Sequence, residues 1–293
     1  MKVLSLFDGI ACGRVALDRA GIKVDRYYAS EIEDFPIAVA KHNYPDIIEL
    51  GDINKWRDWD IDFSDIDLII GGSPCQGFSH AGNRLNFDDP RSKLFFVYVD
   101  ILNYVRQKNP NVKFLLENVK MKQQWVDVIT EYLGVKSIPI NSNLVSAQNR
   151  PRLYWTNIDI KYLPENKCLK IKDIVENAEV ENEYVVFKEF ANFYTVPRAK
   201  DGKLINGSYN RIWKTDSHCG ALSVCNIPRI GCNVFGKVYC RKLTIGEAEK
   251  LQTLPLGYTN CIKESERFKC IGNGWTVDII AHIFKFLKEE EDA

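Results

Sequence analysis

Short apolar segments alternate with helical segments along the first part of the chain, an order that few folds accommodate. Strands are predicted at Lys2–Leu6, 25–30 and 67–70, and helices at 14–20 and 34–43. Such alternation is typical of consecutive βαβ units, in which neighbouring strands are parallel. The sequence therefore predicts an α/β protein with a doubly wound, mostly parallel sheet.

A glycine-rich and proline-containing stretch, Gly71-Gly72-Ser73-Pro74-Cys75-Gln76-Gly77, directly follows the apolar run 67–70. A turn at this point places Cys75 at the carboxyl edge of the sheet, where α/β proteins bind ligands. A free cysteine is more often a small buried residue without chemical function. Two glycines and a proline weaken a strand, however, which favours a functional turn carrying a nucleophile.

A second predicted strand, 113–119, ends in the polar pair Glu117-Asn118. A carboxylate at a strand end can reach the loop of a neighbouring strand and donate a proton when burial favours its protonated form. Taken alone, Glu117 is explained equally well as a capping or solvated residue. Its occurrence together with Cys75 favours a catalytic pair.

Two arginines lie further along, in Gln148-Asn149-Arg150-Pro151-Arg152. Residues two apart on a strand point to the same face, so Arg150 and Arg152 are predicted to grip one substrate together. An ordinary charged strand end is the alternative.

Taken in order, Pro74-Cys75-Gln76, Glu117-Asn118-Val119 and the segment 148–152 resemble the motifs of the S-adenosylmethionine-dependent cytosine carbon-5 DNA methyltransferases. The resemblance extends from Phe7 to Trp275. It implies a Rossmann-like methyltransferase fold with a smaller target-recognition domain. The glycine loop resembles that of the eukaryotic de novo branch, a form that bacterial and phage enzymes share.

The resemblance also implies a mechanism on a cytosine flipped out of duplex DNA. The Cys75 thiolate adds to carbon 6 of the base, Glu117 donates a proton to ring nitrogen 3, and carbon 5 then takes the methyl group. Arg150 and Arg152 would hold the base and its neighbouring phosphate and steady Glu117. The implied substrate contacts are Ser73, Gln76, Ser79, Asn118 and Leu222.

A glycine-bearing loop at 7–13 joins the first strand to the first helix, so the backbone there can approach a nucleotide-like ligand. Glu31 follows at the distance at which dinucleotide folds grip ribose. The resemblance assigns the loop to the methionine part of S-adenosylmethionine, Glu31 to the ribose and Asp52 with Ile53 to the adenine. The predicted cofactor residues are Phe7, Asp8, Gly9, Cys12, Gly13, Glu31, Ile32, Asp52, Ile53, Pro74, Asn273 and Trp275. A buried anchor for the last helix is the alternative role of Trp275.

Charge is distributed unevenly although the formal net charge is zero. Residues 185–245 contain ten basic and three acidic side chains, a local net charge of +7. Such segregation favours contact with phosphates, with a solvated surface as the alternative. The aromatic residues of this region are explained either as a small core or as base-stacking groups.

Three functional parts are predicted: a catalytic and cofactor-binding domain at 1–165, a target-recognition region at 166–240, and a return to the catalytic domain at 241–293. Ala221-Leu222-Ser223 resembles the short Thr-Leu element of the family, with alanine in place of threonine. Thr244 and Glu247 predict a capping box at the return.

Nine cysteines raise the question of a metal site, yet Cys219, Cys225, Cys232 and Cys240 show no C-x-x-C spacing. We expect reduced thiols and no metal. No apolar run reaches membrane-spanning length and no signal peptide is evident, which predicts a cytoplasmic protein. The family resemblance implies a bacterial or phage-encoded enzyme. Duplex DNA is the predicted partner, and a cognate restriction endonuclease is a further candidate.

Two other functions remain open at this point. A tRNA cytosine-5 methyltransferase would use the same pair of residues, although the absence of an obvious Cys-Phe-Thr element favours DNA. A catalytically silent DNA-binding relative would be expected to lack catalytic or cofactor residues, and the chain retains them.

Overall fold

The computed structural model describes residues 1–73, 90–176, 182–185, 188–200, 203–222, 229–234 and 237–291. The chain divides into two compact units. Unit 1 consists of residues 1–140, 151–163 and 277–293, and unit 2 of residues 141–150 and 164–276. These compact units divide the chain at other points than the three functional parts expected from the sequence. Compactness does not test function, so the three parts stay a prediction.

Helices and strands alternate through the first half of the chain, as the apolar pattern predicts. In chain order they are β1 (Lys2–Leu6), α1 (Cys12–Arg19), β2 (Arg26–Ser30), α2 (Asp34–Asn43), β3 (Ile48–Glu49), β4 (Leu68–Gly71), α3 (Pro90–Lys108), β5 (Lys113–Val119), α4 (Gln123–Leu133), β6 (Ile138–Asn141), β7 (Gln148–Asn149) and β8 (Pro151–Thr156). The second half contributes β9 (Asn182–Val185), β10 (Lys188–Glu189), β11 (Phe193–Lys200), β12 (Lys203–Lys214), β13 (Cys219–Gly220), β14 (Arg229–Val234), β15 (Lys237–Lys242), α5 (Ile245–Leu251), α6 (Glu264–Asn273) and α7 (Val277–Glu291).

The described residues of the first sheet form seven strands in the order β3-β2-β1-β4-β5-β8-β6. The strands from β3 to β5 are parallel, and β8 runs antiparallel to β5. All four residues of β4 are buried, which is expected of a strand with both faces covered. The predicted doubly wound, mostly parallel sheet is confirmed.

The carboxyl ends of β1, β2, β4 and β5 meet at one edge of this sheet because the strands are parallel and adjacent in register. Leu6 pairs with Ser30 and with Gly71, and Gly71 pairs with Leu116. This register brings the loops after these strands, which carry the predicted motifs, to the same edge.

The last helix, α7, belongs to unit 1 and packs against α1. Its predicted apolar face, Ile280, Ile283, Phe284 and Leu287, is buried. No helix within the described ranges is long and apolar enough to cross a membrane.

Unit 2 contains a described six-stranded sheet in the order β10-β11-β12-β14-β15-β9. A separate parallel pair, β7 with β13, aligns Gln148 with Cys219. An apolar cluster that includes Ile171, Leu222 and Leu251 forms a core within the unit.

Candidate active site

The loop between β1 and α1 has an unusual backbone conformation. Phe7, Gly9 and Ala11 all have φ values near +60°, and two of them are not glycine. Left-handed conformations of ordinary residues cost energy and cluster at ligand sites. Within the loop, the Asp8 N–H donates to the Ser30 carbonyl at 3.1 Å, which ties it to the end of β2. Cys12 and Gly13 are buried in the first turn of α1.

Glu31 joins the end of β2 to this loop. One carboxylate oxygen accepts the Gly9 N–H at 2.9 Å, and the other accepts the N–H groups of Ile32 and Glu33 at 2.8 and 3.0 Å. Three backbone donors orient the carboxylate, and the oxygen that binds Gly9 keeps a lone pair for a ligand hydroxyl. Next to it, the Ile32 side chain is 70% exposed.

Asp8 has an enclosed carboxyl group that is only half satisfied. Its Oδ1 atom accepts from the Ser5 hydroxyl at 2.5 Å and the Tyr27 hydroxyl at 2.7 Å. Its Oδ2 atom is buried without a hydrogen-bond partner among the described residues, and so are both carboxylate oxygens of Glu49. Burial, together with the nearby Glu49 and Glu31, raises the pKa of Asp8 to about 7. Acidic oxygens left without partners fit a ligand that brings positive charge, as the ammonium and sulfonium groups of S-adenosylmethionine do.

The remaining cofactor candidates of unit 1 lie after β3. Asp52 accepts the Asn54 N–H at 2.9 Å and caps a short helical turn that begins at Ile53. This backbone hydrogen bond and the Asn54 side chain lower the pKa of Asp52, so the group is an ionised acceptor. Ile53 is buried beneath it.

In unit 2, Asn273 is exposed at the end of α6 and Trp275 is half-buried. Neither the anchoring nor the stacking role of Trp275 is tested by this placement, and both stay predictions.

Glu117 and Arg152 form an ion pair at the edge of the first sheet. The Arg152 Nε–H donates to Glu117 Oε1 at 2.8 Å, and the two side chains are 14% and 12% exposed. The antiparallel pairing of β5 with β8 sets Arg152 opposite Val119 and so brings the two groups together. The predicted contact between Arg152 and the glutamate is present.

Asn118 ties the end of β5 to the segment that leads into Pro74-Cys75. Its Nδ2 group donates to the Ser73 carbonyl and to the Ser73 hydroxyl, both at 3.2 Å, and both residues are buried. These contacts fix the chain immediately before Pro74 and Cys75. Four predicted site residues lie outside the described residues: Pro74, Cys75, Gln76 and Ser79.

Gly71 lies inside β4 instead of in a turn. A Cβ atom at this position would meet the Leu6 carbonyl oxygen at 2.9 Å and the Tyr98 ring at 3.0 Å. Close packing between strand and helix therefore accounts for this glycine, which the sequence analysis had attributed to the turn.

The predicted same-face pairing of the two arginines is wrong. β7 ends at Asn149 and β8 begins at Pro151, so Arg150 lies in the break between two strands. Its guanidinium is buried in unit 2 and donates to the carbonyl oxygens of Leu222, Gly272 and Gly274, whereas Arg152 binds Glu117 in unit 1. Proline at 151 offers no N–H to continue a ladder, which explains the interruption.

Three residues that shape the site were not identified from the sequence. Ser5 and Tyr27 hold Asp8, and Gln148 binds the backbone of Leu222. Ser5 had a signal, since it is the one polar residue inside the apolar run of β1. Tyr27 had none, because its partner is distant in sequence. Gln148 lies in the motif 148–152, but its partner Leu222 is 74 residues away and could not be identified from the sequence.

A parallel sheet with a strained glycine loop, acidic residues after neighbouring strands and a glutamate–arginine pair at the same edge defines a Rossmann-like methyltransferase. The sequence profile of the C-5 cytosine-specific DNA methylases matches residues 1–134 and 141–289, and the chain belongs to this family. The family and the enzyme class predicted from the sequence, DNA (cytosine-5-)-methyltransferase, are confirmed.

Relatives of known type come from bacteria and phages. The type II methyltransferase M1.ScrFI of Lactococcus lactis subsp. cremoris is 28% identical over 98% of this chain and 78% of its own length. The orphan methyltransferase M.SPRI of Bacillus phage SPR is 32% identical over 70% of this chain and 49% of its own length. For M.NgoBV of Neisseria gonorrhoeae, a type II enzyme, the identity is 32% over 60% and 47% of the two chains. The chain thus spans about half the length of the last two relatives.

Solved structures share the fold. The S. pombe Dnmt2 methyltransferase superposes with a TM-score of 0.67 at 19% identity, covering 100% of both chains. The methyltransferase EhMeth of Entamoeba histolytica gives a TM-score of 0.70 at 15% identity over 99% of this chain and 98% of its own. These likenesses confirm the Rossmann-like methyltransferase fold.

Proposed function

We propose that this chain transfers a methyl group from S-adenosylmethionine to carbon 5 of a cytosine in duplex DNA. The observation that carries the proposal is the arrangement at the end of β5. There, Arg152 orients the Glu117 carboxyl group, and Asn118 holds Ser73 two residues before Cys75. A thiol that follows Ser73 within two residues, together with the oriented Glu117, would suit addition to the ring of a base.

In the proposed mechanism the Cys75 thiolate forms a bond to carbon 6 of cytosine. Glu117 delivers a proton to ring nitrogen 3, so the electron pair of the ring double bond becomes available at carbon 5. Carbon 5 would then take the methyl group, with S-adenosylhomocysteine as the leaving group. Loss of the carbon-5 proton to a base expels the Cys75 thiolate by breaking the carbon–sulfur bond, and the proton on ring nitrogen 3 returns to Glu117. Arg152 keeps Glu117 in place through these steps, and covalent addition divides one difficult reaction into easier ones.

S-adenosylmethionine supplies an electrophilic methyl group when bound. Glu31 would accept hydrogen bonds from its ribose, Asp52 and Ile53 would contact its adenine, and the loop containing Asp8 would hold its methionine part. The unpartnered oxygens of Asp8 and Glu49 support this assignment. Asn273 and Trp275 are proposed as further cofactor residues.

DNA is the proposed macromolecular partner, with the cytosine flipped out of the helix. Ser73, Gln76, Ser79, Asn118 and Leu222 are the proposed substrate contacts. Bacterial and phage relatives support action in the cytoplasm, and the type II relatives support pairing with a restriction endonuclease that spares the methylated site. Resistance of modified DNA to nucleases that cut the same site tests this pairing.

Transfer of labelled methyl from S-adenosylmethionine to mixed-sequence duplex DNA, followed by base-resolution sequencing, tests the function. We expect label on cytosine carbon 5 in one short sequence context, and none with Cys75→Ser. Methyl label on tRNA alone would show that the substrate is tRNA instead of DNA. No label on either nucleic acid, despite cofactor binding, would indicate a catalytically silent regulatory relative. A Cys75→Ser variant that methylates at the normal rate would disprove the covalent mechanism.

A further inference from the structure

Both backbone polar groups of Leu222 are bound by side chains of one motif. The Leu222 N–H donates to Gln148 Oε1 at 2.8 Å, and its carbonyl oxygen accepts from Arg150 Nη1 at 2.9 Å. Gln148 is fully buried, and Arg150 and Leu222 are each 4% exposed. A buried amide and a buried guanidinium therefore grip the same residue from its two sides.

The segment before Leu222 runs along the same motif. β13 pairs with β7 in parallel, and the Cys219 N–H donates to the Ala147 carbonyl at 3.0 Å. Residues 219–222 are thus attached to residues 147–150 by backbone bonds at one end and by side-chain bonds at the other. Leu222 is the residue that resembles the leucine of the family's Thr-Leu element.

Arg150 also binds a third segment of unit 2. Its Nη2 group donates to the carbonyl oxygens of Gly272 and Gly274, each at 3.0 Å. Gln252 donates to the same Gly274 oxygen at 3.0 Å. One guanidinium therefore links Leu222 to the glycines that flank Asn273, a proposed cofactor residue.

We propose that Gln148 and Arg150 are positioning residues that fix the recognition segment 219–222 against residues 272–274. The inference rests on the proposed function, since Leu222 is assigned there to substrate binding. Moving Leu222 would leave a buried donor and a buried acceptor without partners. The contacts of Gln148 and Arg150 with Leu222, here called the clamp, therefore favour a single position of residues 219–222. Arg150 acts on the DNA through Leu222, whereas Arg152 acts at the reacting base.

The test compares Arg150→Met and Arg150→Lys with the matched control Arg241→Lys. Arg241 is also buried in unit 2 and also donates to main-chain oxygens, of Lys242 and Glu176, but its carboxylate partner is Glu247. The measurements are KM for DNA, kcat, binding of S-adenosylhomocysteine in the absence of DNA, and amide hydrogen exchange of residues 219–222. Far-ultraviolet circular dichroism and thermal unfolding report folding.

We expect Arg150→Met to lower kcat/KM for DNA by about 10- to 100-fold, mainly through KM, with a smaller effect on cofactor binding and with exchange at 219–222 accelerated. Arg150→Lys should recover part of the loss, because lysine keeps donors but not the planar fork. If Arg150→Met does not fold, Arg150→Lys carries the comparison. Arg241→Lys should leave KM for DNA unchanged.

Wild-type KM in a folded Arg150→Met variant, or a loss that Arg241→Lys reproduces, would overturn the positioning role. So would an activity loss that follows cofactor binding instead of KM for DNA. A wild-type protein that methylates no duplex DNA would refute the proposed function instead. In that case, amide exchange at 219–222 still decides the positioning role, because unchanged exchange in a folded Arg150→Met variant overturns it whatever the substrate is.

Discussion

At the scale of single residues, the enclosed carboxyl group of Asp8 is predicted to make binding of the proposed cofactor sensitive to pH. Burial raises the pKa of Asp8 to about 7, whereas the Ser5 and Tyr27 hydroxyls oppose the shift. A folded-state pKa above the unfolded value means that the folded protein holds a proton that the unfolded chain has released. The stability of the ligand-free protein from this group is therefore lost as pH rises from about 4 through 7.

A cationic ligand favours the ionised form of Asp8. Ligand affinity should therefore rise with pH, whereas the stability of the ligand-free protein falls. We predict that the affinity for S-adenosylhomocysteine, which carries the ammonium group, rises between pH 6 and pH 8, and that binding at pH 7 releases a proton. Calorimetry in two buffers of different ionisation enthalpy measures the release. The Asp8→Asn variant should bind more weakly and show neither effect, and an equal pH dependence in both proteins would contradict the assignment.

Glu117 is the proposed proton donor, a role that can be tested separately from its ion pair with Arg152. Glutamine keeps the size and an oxygen that Arg152 can bind, but it carries no acidic proton. We predict that Glu117→Gln lowers the single-turnover rate of methyl transfer by about 10²- to 10⁴-fold and leaves cofactor affinity unchanged. Rates measured with saturating DNA provide the comparison, and a rate within the wild-type range would exclude Glu117 as the acid.

At the scale of elements, the sequence predicted β1, β5 and α2 with their observed bounds, because apolar periodicity and local end signals determine such segments. β3 is short, with Ile48–Glu49 only, and Asp52 beyond it uses its side chain to cap a helical turn. Arg150 was misassigned for a different reason: its partners lie 72 to 124 residues away. Local patterns contain no information about such contacts.

The predicted capping box at α5 is confirmed, and one of its residues also binds a buried arginine. Thr244 Oγ1 accepts the Glu247 N–H at 3.1 Å, and Glu247 accepts the Thr244 N–H at 2.8 Å in return. Glu247 is fully buried and also receives two hydrogen bonds from the Arg241 guanidinium, at 2.6 and 2.8 Å. The cap of this helix is therefore also the counter-charge of a buried arginine.

We predict that Thr244→Ala lowers the free energy of unfolding by about 0.5–2 kcal/mol, the usual effect of a lost cap. Glu247→Ala should cost about 3–5 kcal/mol, since it leaves the Arg241 charge buried and unpaired. Urea unfolding of the two variants gives both values. Equal losses would show that Arg241 finds another counter-charge.

At the scale of the whole molecule, the excess of basic residues between 185 and 245 is not all available to DNA. Arg241 is buried in its pair with Glu247, whereas Arg211 and Lys242 are exposed on β12 and β15. The sequence identified the charged region, but it could not separate internal from external charges. Side-chain burial in the structure distinguishes the two kinds of charge, and it identifies the exposed basic residues as the candidates for phosphate contacts.

The exposed pair leads to a prediction about salt dependence. Each contact with a phosphate releases counterions, so the logarithm of DNA affinity falls with the logarithm of salt concentration in proportion to the number of contacts. We predict that Arg211→Gln and Lys242→Gln each weaken binding to any duplex and reduce this slope by about 1. Lys23→Gln, at an exposed site in unit 1, is the matched control and should leave the slope unchanged. Equal slopes for all three variants and the wild type would mean that DNA binds elsewhere on the protein.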